Sequence, residues 1–105
     1  MRFLSILALS VFALTATAQS YTVTGKIDAK YNGKQMCLTE QSVVVDTVVI
    51  ADGAFAFKKN IADQALCRVF IPGNRRVVAD VIAYPGANVA VDFTQNPVSV
   101  TDNGG

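Results

Sequence analysis

The chain has 105 residues, with nine Lys and Arg against eight Asp and Glu, two cysteines and no histidine. Without histidine there is no Ser-His-Asp triad, no imidazole general base and no imidazole metal ligand. The charges fall singly along the chain, so the basic stripe of a nucleic-acid or anionic-membrane surface is missing.

Met1-Arg2 is a short positive start, and Phe3 to Leu14 is an apolar run too short to span a bilayer comfortably. Ala16-Thr17-Ala18 is an A-x-A cleavage site, so residues 1–18 read as a signal peptide cut before Gln19. The mature chain is then exported, to the periplasm or beyond. No Cys follows the cleavage site, which argues against a lipid anchor, and no later segment reads as transmembrane. Residues 19–101 form one small domain, and 102–105 read as the start of a linker or a truncated end. Removing Arg2 leaves eight charges of each sign, a net charge of zero. A domain of this size buries only about 60–65% of its unfolded surface, so its core is modest.

Tyr21 to Ile27 alternates, with Tyr21, Val23, Gly25 and Ile27 on one face, and reads as a first strand. Asp28 to Gly33 is a loop ending in an Asn-Gly turn signal, and Lys34 to Thr39 is a second strand facing inward through Met36 and Leu38. Glu40-Gln41-Ser42 turns the chain, and the β-branched density from Val43 to Ile50 argues for strand. Asp46 interrupts that run and marks a kink, a bulge or a chain reversal. Asp52-Gly53 between apolar runs predicts a hairpin on a two-residue type I′ turn. Its register would pair Ala51 with Ala54, Ile50 with Phe55, Val49 with Ala56 and Val48 with Phe57, which gathers Val48, Ile50, Phe55 and Phe57 on one face.

Ile61 to Gln64 is a connection or a single helical turn, and Ala65 to Ile71 is the next strand. Pro72 to Arg76 is a turn carrying an exposed basic pair. Val77 to Ala83 is a strand apolar on both faces apart from Asp80. Tyr84-Pro85-Gly86-Ala87 fits a type II turn. Asn88 to Thr94 alternates again, and Val98 with Val100 suggests a last short strand. Seven or eight short strands with frequent turn signals predict an all-β, antiparallel β-sandwich, with a small barrel as the alternative architecture.

Residues that could carry chemistry are few. No Cys-x-x-Cys, Gly-rich phosphate loop or Gly-x-Ser-x-Gly elbow occurs, so no cofactor is expected. Cys37 and Cys67 leave three readings open. As a disulfide they would close a loop of about 30 residues and contribute roughly 3–4 kcal/mol; as buried thiols they would serve as small hydrophobes; and Lys34 near Cys37 and Arg68 beside Cys67 leave room for redox chemistry. Phase puts Cys37 on the outward side of its strand and Cys67 on the inward side. Asp28, Asp46, Asp52, Asp63, Asp80 and Asp92 are scattered and read as turn and surface residues rather than a carboxylate pair or calcium site. Arg75 and Arg76 read as a solvated hairpin tip or as a clamp on an anion or partner carboxylate. Tyr21, Tyr31 and Tyr84 read as packing residues or as lining for a sugar or peptide.

Three motifs together resemble a known family. Thr22-Val23-Thr24-Gly25-Lys26-Ile27 after an export signal is its opening. Asp46-Thr47 followed by Asp52-Gly53-Ala54-Phe55-Ala56-Phe57 is similar to its central signature, and Tyr84-Pro85-Gly86 before Val89-Ala90-Val91 to its return strand. The family is the domain of unknown function numbered 4369, found mainly in Bacteroidetes. It is typically the N-terminal β-sandwich of periplasmic thiol-disulfide oxidoreductases, with a thioredoxin-like domain following. The resemblance implies an accessory, interaction-mediating domain that is not itself an enzyme, with a protein partner such as a thioredoxin-like domain. No catalytic residue carries over. Arg75, Arg76 and Tyr84 are the expected partner contacts, and Cys37 with Cys67 the only redox candidates.

Overall fold

A computed structural model describes residues 19–103. The signal-peptide reading of residues 1–18 lies outside the described residues. Eight strands run in chain order: β1 Ser20–Lys26, β2 Gln35–Glu40, β3 Val43–Val49, β4 Ala54–Asn60, β5 Ala65–Phe70, β6 Val78–Ala83, β7 Asn88–Asp92 and β8 Ser99–Asp102. They form two four-stranded sheets, ordered β4-β1-β7-β8 and β3-β2-β5-β6. The architecture is the expected sandwich, not a closed barrel. All pairings are antiparallel except β1 with β7.

The core lies between the sheets and follows the alternation of the strands. Tyr21, Val23, Phe55, Phe57, Val89 and Val91 face it from one sheet; Met36, Leu38, Cys67, Val69 and Val81 face it from the other, and Ile50 fills the corner. The turns behave as their residues dictate. Gly86 has φ +92° and Ala87 N–H donates to the Tyr84 carbonyl, as a type II turn requires. The segment read as a possible helical turn, Ile61 to Gln64, is not helical. Among the described residues the one 3₁₀ turn is Ala29–Tyr31, inside the stretch read as loop, capped by the Asp28 carboxylate accepting from Lys30 N–H at 2.9 Å.

The central hairpin needs correction. The turn itself forms: Asp52 and Gly53 both have positive φ, and Ala51 and Ala54 exchange backbone hydrogen bonds at 3.0 and 3.1 Å. The pairing stops there. β3 pairs with β2 and β4 pairs with β1, so the chain changes sheets across Asp52-Gly53. Ile50 N–H donates to the Lys34 carbonyl, while Ile27 N–H donates to the Gly53 carbonyl. The backbone groups on the two sides of the turn are thus claimed by different neighbours. Val48, Ile50, Phe55 and Phe57 still all point inward, but from facing sheets rather than one ribbon. Asp46 marks a bulge: the β2–β3 register shifts between Leu38, opposite Asp46, and Thr39, opposite Val44, leaving Val45 as the extra residue.

Phe55 sits where Gly25 permits it. The two are cross-strand partners, and a Cβ built on Gly25 would lie 2.0 Å from Phe55 Cζ. The ring therefore covers the glycine, and it packs against Phe57 and Phe93 with centroids 6.0 and 6.1 Å apart.

Candidate interaction face

The two sheets differ sharply on their outer faces. β1, β4 and β7 present Thr24, Lys26, Ala54, Ala56, Lys58 and Asn88 to solvent, which are small or polar. The outer face of β3-β2-β5-β6 carries large apolar side chains around a polar centre. Its register sets out three rows: Thr47-Cys37-Phe70-Val78, then Val44-Thr39-Arg68-Asp80, then Leu66-Ile82. Val49 extends the face at the β3 edge. Val44, Val49, Leu66 and Ile82 are 54%, 59%, 52% and 46% exposed. An antiparallel sheet with one solvated face normally alternates apolar-in and polar-out. Here large apolar side chains also stand among the outward positions, which a purely solvated face does not require.

A groove of about 400 Å³ crosses this face, floored by Thr39, Phe70 and Val78 and walled by Leu66. Its charged groups are one ion pair. Arg68 Nε and Nη2 reach Asp80 Oδ1 and Oδ2 at 2.7 and 3.4 Å. The pairing holds the Asp80 carboxyl below its ordinary range and raises the Arg68 guanidinium further. Both side chains are more than half exposed, so the pair adds little to fold stability; it supplies directional groups within an apolar surround. The Gln41-Ser42 turn closes one end of the groove. Both residues have positive φ, 50° and 70°, without being glycine, and Gln41 N–H ties the turn to the Leu66 carbonyl at 3.0 Å. Each such residue stores roughly 1 kcal/mol of backbone strain.

The family model described as Domain of unknown function (DUF4369) matches residues 21–103. The chain belongs to that family. No curated protein and no solved structure matches it.

The residues singled out in this family member are dispersed. Cys37 and Cys67 are both free. They lie on adjacent strands but on opposite faces, and the register sets Cys37 opposite Phe70 and Glu40 opposite Cys67. That offset of three residues is about 10 Å along the strands, beyond the roughly 7 Å a disulfide spans. Cys37 accepts a hydrogen bond from Thr47 Oγ1 at 3.7 Å under the outer face. Cys67 is fully buried, and burial pushes its thiol up from the ordinary value, which disfavours the reactive thiolate.

Tyr21 belongs to the core. Its hydroxyl donates to Glu40 Oε2 at 2.5 Å, and burial followed by that bond raises its ionisation well above the usual phenol range. Tyr84 is half-buried and donates to Asp102 Oδ2 at 2.5 Å. Tyr84 follows the C-terminal end of β6, whereas Arg75 and Arg76 precede its N-terminal end, so the three expected partner contacts do not converge. Among the described residues, no group of three Cys, Asp or Glu side chains could hold a metal ion, and no helix is long and apolar enough to cross a membrane.

Sequence reasoning missed Val44, Leu66, Phe70 and Ile82 as functional candidates. The signal was the double-sided apolarity of Val77 to Ala83. It becomes interpretable only once no further layer of the described chain covers that side.

Proposed function

We propose that the chain is a non-catalytic, exported interaction module that binds a protein partner through the outer face of the β3-β2-β5-β6 sheet. The observation that carries this reading is the run of exposed large apolar side chains around the Arg68–Asp80 pair, on one outer face and not on the other. Apolar area supplies affinity, and the ion pair supplies orientation. The export reading rests on the sequence of residues 1–18. The resemblance to N-terminal domains of periplasmic thiol-disulfide oxidoreductases makes a thioredoxin-like domain the first partner class to try. The non-catalytic reading is supported by the separation of the two thiols and the burial of Cys67.

The test is native co-purification from the producing cell with wild type and with the double variant Leu66→Asp, Ile82→Asp. The two positions are half-exposed cross-strand partners, so facing carboxylates should cost about 1–2 kcal/mol, and circular dichroism confirms that the variant is folded before the capture is compared. A partner that co-purifies with wild type should be lost in the variant. Retention of every partner at wild-type level would overturn the assignment of this face.

A further inference from the structure

Away from the outer face, one end of the sandwich opens into a second cavity of about 310 Å³. It lies where the β1–β2, β5–β6 and β7–β8 connections meet. Its floor is apolar: Ile27 and Val77 are buried, and Tyr31 and Phe93 are half-buried rings. Its rim carries two cations, Lys30 and Arg76. The Lys30 ammonium stands 5.3 Å from the Tyr31 ring centroid. Arg76 makes no side-chain hydrogen bond or ion pair among the described residues, and the Arg68–Asp80 pair is the only salt bridge among them.

The nearby acids make local hydrogen bonds and keep their charge, and of the two only Asp28 lines the cavity. Asp28 Oδ1 accepts from Lys30 N–H, and Asp92 Oδ1 accepts from both the N–H and the hydroxyl of Thr94. The cavity lining therefore holds two cations against one anion, above an aromatic and aliphatic floor. Its size falls at the small end of ligand pockets, matching one aromatic or branched aliphatic group rather than an extended chain. The fork of Arg76 suits a bidentate carboxylate.

We infer that this cavity binds a carboxylate carried on a compact apolar or aromatic body, with Arg76 and Lys30 holding the carboxylate and Tyr31 and Phe93 packing the body. That chemistry is shared by a free aryl carboxylic acid and by the C-terminal residue of a peptide. Of the basic pair in the β5–β6 turn, this assigns the ligand to Arg76; Arg75 does not line the cavity.

The experiment is an amide-resolved NMR titration of the full chain with three probes: 3-phenylpropanoate, the peptide Gly-Gly-Phe as free acid, and the same peptide as C-terminal amide. Saturable shifts at Ile27, Val77 and Phe93 with the acids are expected. The amide should bind about tenfold more weakly or worse, and Arg76→Gln should weaken the acids by a similar factor, since a charged hydrogen bond is lost in each case. Arg75→Gln should bind as wild type does. Tighter binding of the peptide acid than of phenylpropanoate would point to a peptide C-terminus as the source; the reverse would point to a small acid. Equal binding of acid and amide, no loss in Arg76→Gln, or no saturable shift at millimolar probe would overturn the inference.

Discussion

Gly25→Ala is the sharpest test of the packing described above. In a strand interior, replacing glycine by alanine ordinarily gains about 0.5–1 kcal/mol. Here the new methyl carbon would lie 2.0, 2.1 and 2.7 Å from three carbons of the Phe55 ring. Ordinary carbon contacts are about 3.5–4.0 Å, so the ring would have to retreat by roughly 1.5 Å. Phe57 and Phe93 block that retreat. Overpacking of this kind costs about 1–3 kcal/mol, and full ejection of a buried Phe about 3–5 kcal/mol. After the strand gain is subtracted, a net loss of about 2 kcal/mol is expected, which for a domain of this size lowers Tm by roughly 8–16 °C. Urea and thermal unfolding followed by circular dichroism read it. Adding Phe55→Leu should relieve the clash, so the double variant should lose less than the sum of the singles by about 1 kcal/mol. A Gly25→Ala protein as stable as wild type, or strict additivity in the double variant, would show that the ring does not sit over Gly25.

Ser42→Gly should stabilise the domain by about 0.5–1 kcal/mol in urea unfolding, because it relieves a left-handed non-glycine residue in the β2–β3 turn. Stability should fall at both pH extremes. Asp80 and Asp92 are held below the ordinary carboxylate range, chiefly by hydrogen bonds from Arg68 and Thr94, so their contribution is present above the unfolded value near 4 and lost as pH falls through the folded values. Tyr21 has the opposite sign: it is raised by burial, so its contribution is full below about pH 10 and declines as pH rises beyond that. Thermal melts across pH would show both limbs, and Tyr21→Phe should flatten the alkaline one. Cys67 should resist iodoacetamide at neutral pH until the chain is unfolded in urea, as judged by mass spectrometry.

Much of this fold could be read locally. The inward sets Tyr21-Val23-Ile27 and Met36-Leu38, the opposite phases of Cys37 and Cys67, and the turns at Asp52-Gly53 and Tyr84 to Ala87 all follow from period-two alternation and turn chemistry. The partner of each strand did not. Asp52-Gly53 favours a tight turn, but nothing within Asp46 to Phe57 records that β1, some thirty residues earlier, pairs with β4 along its whole length. Gly25 reads alone as a weak point in a strand; its role as the seat of Phe55 exists only across that pairing. The same limit hid the candidate face. Leu66 and Ile82 are ordinary strand residues in sequence, and their exposure depends on the sheet order that places β5 beside β6 with no described layer above them.

The outer face of β3-β2-β5-β6 as a protein-binding surface is tested most directly by site-specific photo-crosslinking in the producing cell. A benzophenone side chain in place of Leu66 reports on that face, and one in place of Ala56 reports on the outer face of the other sheet. A discrete protein adduct is expected from position 66, absent from position 56 and abolished by Ile82→Asp. No adduct from position 66, or an equal adduct from both, would contradict it.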